Sequence, residues 1–217
     1  MDDSYEISVV PLEKSHIPAT CEVFLSTFAD EAFTKHIYNL TSPGAKRALT
    51  KALSYRLNSY IDVSHPVFIA MADNEIIGFA VASAVSTELP FKRSVSQAPL
   101  LLMHLLQLLK YVKFRNMYSI FKLARKPDNL HGPYIFLEAI GVLPFYQGRG
   151  VGGELLNSLI CHGSSLNKCK GIYLFTGDYL NTKIYSRYGF NIIDKKSCPL
   201  FTAYHMFKEL NFQETDI

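Results

Sequence analysis

Hydrophobic and polar positions repeat along the chain with two periods, which predict strands and helices in a definite order. Apolar residues at every second position, or in short runs, predict strands, and apolar residues three or four positions apart predict helices. Strands are predicted at 7–10, 67–71, 76–84, 134–142, 172–176, 190–193 and 202–207. Helices are predicted at 17–28, 45–60, 150–161 and 181–188.

The order of these elements predicts the fold class. The chain begins β-α-α-β-β and, after residues 88–127, continues β-α-β-α-β-β. A turn at Asp73 and Asn74 joins two strands as an antiparallel hairpin, whereas a strand, a helix and a second strand late in the chain favour a parallel unit. We therefore expect an α/β fold with a mixed, mostly antiparallel central sheet flanked by helices.

Two local features refine this expectation. Ser15 is predicted to cap the helix that follows it, with Pro18 tolerated in the first turn. Residues 88–127 are predicted to be a helical insertion before the fourth strand. The insertion is so apolar from residue 100 to 109 that we expect it to be covered on more than one side. As a wall of the acceptor pocket, it would pack Leu102, Leu106, Leu109 and Phe114 inward.

Length and composition favour one globular domain over residues 1–217. Apolar residues make up 48% of the chain and charged residues 19%. The net charge is +3, but residues 92–126 hold eight basic and no acidic side chains, which leaves −5 elsewhere. This basic segment is either a solvated edge or a surface that attracts anions, a membrane or an acidic partner. No recognition motif accompanies it, so we do not expect nucleic-acid binding.

The cysteine pattern and the hydropathy of the chain predict the compartment in which the protein works. The cysteines form no C-x-x-C pair and no metal-ligand spacing with histidine, so reduced thiols and no metal are expected. No charged-then-apolar leader is visible, which predicts a cytoplasmic protein. The longest charge-free run, 94–109, is interrupted by polar residues and proline and falls short of the ~18 residues of a spanning helix. The four cysteines are Cys21, Cys161, Cys169 and Cys198.

A glycine pattern marks the candidate chemistry. Gly148, Gly150 and Gly153 spell G-x-G-x-x-G between a predicted strand and a predicted helix, a pattern found in dinucleotide sites. Backbone N–H groups at such a helix start bind phosphates. An NAD domain places this loop after its first strand, however, and here it follows two thirds of the chain. Asp178 still lies roughly where a ribose-binding acid falls, so spacing alone does not exclude NAD.

Two stretches in order relate the chain to a known family. Residues 147–152, Q-G-R-G-V-G, match the signature Q/R-x-x-G-x-G/A, and residues 181–190, N-T-K-I-Y-S-R-Y-G-F, match N-x-x-x-Y-x-x-x-G-F. With these motifs the chain resembles the GNAT superfamily of acetyl-CoA-dependent N-acetyltransferases. Residues 28–36, F-A-D-E-A-F-T-K-H, are similar to the exit of the first helix in the branch that contains puromycin N-acetyltransferase. The resemblance covers most of the chain except 88–127.

The resemblance implies acetyl-CoA as cosubstrate and no metal. It implies that the glycine turn holds the CoA pyrophosphate and that backbone groups of the preceding strand bind the pantetheine arm, the amide of Val142 stabilising the oxyanion. Asn181 is expected to cap its helix or to bond the cofactor. The residues expected to bind the cofactor are Ile140, Val142, Gln147, Gly148, Arg149, Gly150, Val151, Gly152, Gly153 and Asn181.

The sequence predicts one residue as the general acid but leaves several candidates for the general base. Tyr185 matches the family tyrosine by its spacing before Gly189 and is expected to be the general acid, while Tyr188 is expected to pack. Glu138 lies inside an apolar strand and is either the base or an edge-facing residue. Histone-type relatives carry an acid where this chain has Phe136, so the base is not carried over directly. Further candidates for the base are Asp30, Glu31, His36 and His65.

The sequence as a whole predicts an enzyme that transfers an acetyl group from acetyl-CoA to a primary amine of a small molecule. Two alternatives stay open: a non-catalytic acyl-CoA-binding regulatory module, and an acetyltransferase of protein or peptide amines. The sequence is also compatible with a homodimer. The insertion at 88–127 either forms one wall of the acceptor pocket or serves as a dimer or membrane-edge helix.

Overall fold

The computed structural model describes residues 6–28, 34, 37, 39–85, 106, 109–113, 119, 121–199 and 201–210. Over these residues the order of elements follows the predicted one, apart from the insertion. The strands are β1 (Ser8–Pro11), β2 (Val67–Ala72), β3 (Glu75–Val85), β4 (Tyr134–Val142), β5 (Gly171–Thr176), β6 (Asn191–Ser197) and β7 (Thr202–Glu209). The helices are α1 (Ile17–Phe28), α2 (Pro43–Asp62), α3 (Val151–Ser165) and α4 (Tyr179–Arg187).

One seven-stranded sheet runs through the protein in the order β1-β2-β3-β4-β5-β7-β6. Strands β4 and β5 pair in parallel, and every other neighbouring pair is antiparallel. The parallel pair is joined through α3, because parallel strands need a crossover connection. The predicted fold class, a mixed and mostly antiparallel sheet flanked by helices, is therefore confirmed.

The starts of α2 and α1 show whether a serine side chain caps each helix. Ser42 accepts a hydrogen bond from the amide of Ala45 at 3.1 Å, so it caps α2, and Pro43 fits the first turn. The prediction for Ser15 was wrong. This residue lies inside a 3-10 helix, Lys14–His16, that continues directly into α1, so no cap is needed between them.

The two faces of the sheet carry different cores. In β3, Ala80 and Ala82 belong to the cluster under α3, whereas Phe79 and Val81 belong to the cluster under α1 and α2. Small alanines on one face let α3 lie close to the sheet, and the large Phe79 ring fills the space below α1. This alternation is the two-residue period that the sequence pattern indicated.

A β-bulge interrupts this period in β4. Val81 pairs with Ala139, but the next residue of β3, Ala82, pairs with Leu137, so Glu138 is an extra residue without a Cα partner in β3. Odd-numbered residues of β4 pack under α3 before the bulge, and even-numbered residues do so after it. The bulge therefore changes the direction of every later side chain in the strand.

The end of the insertion is fixed to the sheet by hydrogen bonds to its backbone. Residues 121–124 are helical, and Leu123 is buried. The carbonyl oxygen of Leu123 lies 2.9 Å from Nε2 of the buried His205, on β7. Lys196, on β6, donates to the carbonyl oxygen of Arg125 at 2.5 Å.

Most of the insertion at 88–127, including Leu102 and Phe114, lies outside the described residues, and so does the stretch 29–33. Leu106 and Leu109 are described, and their exposed fractions of 54% and 38% contradict the expectation that both pack inward. Among the helices that the structure describes, none is both long and apolar enough to cross a membrane.

Candidate active site

A cleft opens where the two parallel strands separate. Strands β4 and β5 pair at Ile135–Ile172 and at Phe136–Tyr173, and no later residues are paired between them. The resulting cleft has a volume of about 450 Å³ and also reaches α1 and α4. Its lining includes the last six residues of β4, the end of β5, two aromatic residues of α1 (Phe24 and Phe28), and Gln147, Asn181 and Tyr185.

The backbone of β4 is directed into this cleft beyond the bulge. The amide of Leu143 donates to the carbonyl oxygen of Ile77 at 2.8 Å, which marks this pair as hydrogen-bonded in the antiparallel ladder. Because hydrogen-bonded and non-hydrogen-bonded pairs alternate, Ile140 and Val142 turn their N–H and C=O groups away from β3. Both residues line the cleft, and their binding of a pantetheine arm, which the resemblance implies, stays a prediction.

The glycine turn lies at the start of α3. Gly148 and Gly150 have φ values of 76° and 87°, in the region that favours glycine. A Cβ atom on either residue would meet nothing within 4 Å, so the space beside the turn is open. Gly150 is also the N-cap residue of α3 and offers no side-chain oxygen to the first helical N–H groups. These groups and the helix dipole suit an anionic ligand such as a pyrophosphate.

The remaining glycines and Val151 serve the packing beneath the turn. Val151 is 1% exposed, so its side chain belongs to the core and only its backbone belongs to the turn. A Cβ on Gly153 would collide with the hydroxyl of Tyr188, so this glycine makes room for a packed tyrosine. A Cβ on Gly152 would make an ordinary contact with Val142 at 3.9 Å.

Side chains connect the turn to the strand and to solvent. Nε2 of Gln147 donates to the carbonyl oxygen of Val142 at 3.0 Å, which fixes the turn against the end of β4. The guanidinium carbon of Arg149 lies 4.7 Å from the ring centre of Phe145, and both residues are exposed. Arg149 is therefore placed to add positive charge at the mouth of the turn.

Helix α4 forms the other wall of the cleft. Its N-cap is Asp178, whose carboxylate accepts from the amide of Leu180 at 2.8 Å. The expectation that Asn181 caps this helix was wrong, because Asp178 starts the helix at Tyr179. Asn181 instead lies in the first turn and lines the cleft, with Nδ2 3.4 Å from Oγ1 of Thr176.

Tyr185 is half-buried on α4 and lines the cleft. Its ring packs against the core, with 5.9 Å between its centre and that of Phe190. Tyr188 packs against the same core one turn later, as expected. The structure thus places Tyr185, and not Tyr188, among the residues that line the cleft.

Glu138 is held by two residues of α2. The Tyr60 hydroxyl donates to Oε1 of Glu138 at 2.5 Å, and Nη2 of Arg56 donates to Oε2 in an ion pair. Arg56 also donates to the Tyr60 hydroxyl, at 3.0 Å from Nε and 2.9 Å from Nη2. Burial, and then the charge of Glu138, raise the pKa of Tyr60 to about 12, so Tyr60 stays protonated at neutral pH.

His65 completes this group. Its ring centre lies 4.8 Å from that of Tyr60, and Nδ1 accepts from the amide of Ala84 at 3.3 Å. Burial lowers the pKa of His65, with Glu138 opposing and Arg56 reinforcing the shift. Among the candidates for the base, the structure therefore brings Glu138 and His65 to one region. The other candidates, Asp30, Glu31 and His36, lie outside the described residues.

Arg56 and Tyr60 were missed by sequence reasoning, although a signal for them existed. They lie four residues apart, on one face of α2, where they can act as a pair. Their partner is about eighty positions away in sequence, so spacing alone does not reveal it. The spacing shows only that Arg56 and Tyr60 share a helix face, and it does not connect that face to Glu138.

No three histidine, cysteine or acidic side chains within the described ranges lie together as metal ligands. The four cysteines are all described and form no disulfide. The described part of the chain offers the cleft backbone groups of β4 and a few polar side chains, with the glycine turn beside them.

An open glycine turn at a helix start, next to a cleft between two diverging parallel strands, suits an extended ligand that bears a phosphate group. Residues 34–190 match the model of the Acetyltransferase (GNAT) family. The chain belongs to this family.

Individual proteins are also similar to this chain, in sequence or in structure. A probable spermine N(1)-acetyltransferase of Bacillus subtilis subsp. natto is 37% identical over 76 residues, which cover 34% of this chain and 49% of that protein. The chain thus spans about half the length of the curated relatives it matches. A structure described as histone acetyltransferase HPA2 and related acetyltransferase, from Corynebacterium glutamicum, has a TM-score of 0.66 at 19% identity and covers 96% of this chain and 99% of its own. Arabidopsis thaliana NAA60 in complex with acetyl-CoA has a TM-score of 0.56 at 17% identity, with 94% and 100% covered. These structures share the fold.

Proposed function

We propose that this protein transfers the acetyl group of acetyl-CoA to a primary amine of a small molecule. The observation that carries the proposal is the cleft between β4 and β5, with an open glycine turn beside its mouth and Tyr185 in its wall. Membership of the acetyltransferase family supports it, and so does the match to a relative named for spermine acetylation.

The residues present fit acetyl-CoA. The turn from Gln147 to Gly150 and the first N–H groups of α3 would bind the pyrophosphate, with Arg149 adding charge. Backbone groups of Ile140 and Val142 would bond the pantetheine arm, which is rich in amides. Asn181, which lines the cleft from α4, would bond the same arm. Acetyl-CoA supplies an activated acetyl thioester to this site.

Two groups act on the reaction itself. The amide of Val142 is proposed to donate to the oxygen of the thioester carbonyl as negative charge develops there, and one such donor lowers the barrier by roughly 3 kcal/mol. Tyr185 is proposed to protonate the thiolate that leaves. The nitrogen of the amine forms the new bond to the acetyl carbon, and the bond from that carbon to sulfur breaks. The nitrogen loses one proton to solvent, the sulfur gains one from Tyr185, and Tyr185 recovers a proton from solvent, so the charges balance.

The amine must be neutral to react, and a primary amine with a pKa near 10.4 is only about one part in a thousand neutral at pH 7. We propose that Glu138 meets the amine, because it is the charged residue among the described lining of the cleft. Its two carboxylate oxygens already accept hydrogen bonds from Tyr60 and Arg56. Glu138 therefore acts within a group and not as an isolated base.

Several finer expectations stay predictions. The likeness to the branch of puromycin N-acetyltransferase rests on residues 28–36, most of which lie outside the described residues. A single domain over 1–217, the insertion at 88–127 as a wall of the acceptor pocket, a homodimer and a cytoplasmic location also stay predictions.

Calorimetric titration with acetyl-CoA, and with NAD in parallel, tests the proposed cofactor. Micromolar binding of acetyl-CoA and none of NAD is expected. A screen of small amines by release of free thiol then tests the reaction. Binding without turnover of any amine would favour a regulatory module, and turnover of peptide amines alone would favour a protein acetyltransferase. No binding of acetyl-CoA by folded protein would overturn the proposal.

A further inference from the structure

One described part of the insertion, residues 109–113, pairs with the segment that precedes α2. The amide of Asn39 donates to the carbonyl oxygen of Tyr111 at 2.8 Å, and the amide of Lys113 donates to the carbonyl oxygen of Ile37, also at 2.8 Å. Two bonds that run in opposite directions between the same two segments have the pattern of an antiparallel ladder. Ile37 lines the cleft, so the insertion holds one residue of the cleft wall by its backbone.

The ring of Tyr111 extends this contact to helix α2. A Cβ atom on Gly44 would lie 2.6 Å from the Tyr111 hydroxyl, so this hydroxyl rests against the first turn of the helix. Ser42, which caps α2, lies between this turn and the paired segment. The insertion therefore supports the start of the helix that holds Glu138.

The second described part, residues 121–125, is bonded to the other half of the sheet. Nε2 of His205 lies 2.9 Å from the carbonyl oxygen of Leu123, and Lys196 donates to the carbonyl oxygen of Arg125. The ring centre of His205 lies 5.9 Å from that of Phe175, which lines the cleft from β5. The insertion thus also contacts the residue that backs a second part of the cleft wall.

Phe175 belongs to the side of the cleft where the amine is proposed to bind. Its ring stacks with that of Phe136, with 6.1 Å between their centres. Phe136 and Glu138 direct their side chains to the same side of the sheet. The glycine turn, by contrast, follows the far end of β4, beyond Val142. Both contacts of the insertion therefore concern the surroundings of Glu138 more than the pyrophosphate site.

We propose that residues 109–113 and 121–125 of the insertion position Ile37 and Phe175 and thereby set the affinity of the cleft for the acceptor amine. This inference rests on the proposed function. These residues act through the cleft wall and touch no reacting atom. When one contact is lost, the wall holds its binding-competent position for a smaller fraction of the time, and the apparent dissociation constant of the amine rises by the same factor.

The test breaks each contact separately and measures the two substrates separately. Asn39→Pro removes the amide that donates to Tyr111, and Lys196→Met removes the ammonium that donates to Arg125. We expect each variant to raise KM for the amine about threefold to tenfold, the range that the loss of one hydrogen bond gives, and to change the Kd of acetyl-CoA by less than about twofold. Thiol release gives kcat and KM, with 2-phenylethylamine and spermidine as the first probes and otherwise the amine of the screen that turns over fastest. Calorimetry gives the Kd.

Matched controls separate these contacts from the side chains that are removed with them. Asn39→Ala loses the same side chain but keeps the amide, so KM for the amine should stay at the wild-type value. Lys195→Met makes the same charge change one residue away, where the exposed ammonium lies over the ring of Tyr204, and should also leave KM unchanged. Hydrogen exchange followed by mass spectrometry should show faster exchange of the Lys113 amide in Asn39→Pro, which verifies that the pairing is lost.

The outcomes distinguish this inference from a general loss of structure and from failure of the proposed function. An unchanged KM for the amine in both variants, with faster exchange at Lys113, would refute the inference while acetylation stands. Equal increases in KM for the amine and in Kd for acetyl-CoA would refute it too, because they indicate damage to the whole cleft. If Asn39→Pro does not fold, Lys196→Met decides, since its side chain is partly exposed. Absence of thiol release with every amine of the screen would refute the proposed function and this inference with it.

Discussion

The hydroxyl of Tyr173 and Nδ1 of His205 lie 2.6 Å apart in the interior of the protein. Nε2 of the same ring lies 2.9 Å from the carbonyl oxygen of Leu123, which can only accept, so Nε2 donates. In the neutral ring, which burial favours, Nδ1 then accepts from the Tyr173 hydroxyl. Burial and the charge of Lys196 lower the pKa of His205, against the smaller effects of the Leu123 carbonyl and Asp194.

Stability is expected to fall as the pH is lowered below about 6.5, the usual pKa of histidine. The folded state of His205 binds a proton less readily than the unfolded chain, so the unfolded state takes up more protons below that pH. The slope per group is at most about 1.4 kcal/mol per pH unit. Urea denaturation between pH 5 and pH 8 measures the free energy of unfolding.

His205→Gln provides the comparison for this pH dependence. Glutamine can donate to the Leu123 carbonyl but does not titrate, so the variant should lose stability at pH 8 and show a shallower slope below pH 6.5. His65 and His162, whose pKa values are also lowered by burial, stay in both proteins and cancel. Equal slopes in the two proteins would show that His205 does not cause the effect.

Tyr185→Phe is expected to lower kcat about a hundredfold while acetyl-CoA binding is kept, since a positioned general acid contributes at least this much. The basic limb of the pH–rate profile should change as well. Tyr179→Phe is the matched control, because Tyr179 lies on the same helix, is 55% exposed and does not line the cleft. A Tyr185→Phe enzyme with kcat close to that of the wild type would exclude Tyr185 as the acid.

Gly148→Ala is expected to destabilise the protein by about 1–2 kcal/mol and to weaken acetyl-CoA binding, because alanine is strained at a φ of 76°. The space beside Gly148 is open, so the cost comes from the backbone alone. Gly152→Ala is the comparison for stability: Gly152 lies inside α3, its φ is not positive, and its Cβ would have room. Thermal denaturation should show this variant as stable as the wild type or more stable, by about 0.5–1 kcal/mol.

Gly153→Ala should destabilise the protein for a different reason, a collision with the Tyr188 hydroxyl. The expected loss is about 1–3 kcal/mol, as for other overpacked sites. Removing that hydroxyl with Tyr188→Phe should recover part of the loss in the double variant. Additive effects of the two substitutions would mean that they do not interact, contrary to the structure.

The thiols should differ sharply in reactivity. Burial, and then the charge of Glu22, raise the pKa of Cys21 to about 11, whereas Cys161 is exposed on α3. Because the thiolate is the reactive form, a maleimide at pH 7.5 should label Cys161 in the folded protein and Cys21 only after unfolding. Peptide mapping by mass spectrometry checks this order. Early labelling of Cys21 would mean that the region under α1 opens readily.

The order of elements could be predicted because the hydrophobic period of each strand or helix depends only on residues that are neighbours in sequence. The bounds of β4 follow from an apolar stretch in which Glu138 is the one charged residue, and the glycine turn follows from its position between that strand and an amphipathic helix. The start of α4 was misplaced because Asp178 and Asn181 are both good caps, and only the bond from Leu180 to Asp178 decides between them.

The surroundings of Glu138 could not be predicted in the same way. A bulge leaves no mark when the residues on both sides of it are apolar, as Leu137 and Ala139 are. The partners on α2 depend on how that helix crosses the sheet, which is a property of packing and not of either segment. The motifs therefore predicted the cofactor side of the cleft more fully than the acceptor side.

The extra residue in β4 also changes how positions along this strand correspond between proteins. Phe136 and Glu138 direct their side chains to the same side of the sheet, but the bulge shifts the count for every residue that follows. Consider a second chain that lacks the extra residue and is aligned to this one without a gap, from the glycine turn toward the N-terminus. For residues that precede the bulge, this alignment matches positions whose side chains lie on opposite sides of the sheet. Grafting an acid from such a chain onto β4 by number alone would place it under α3, in the core.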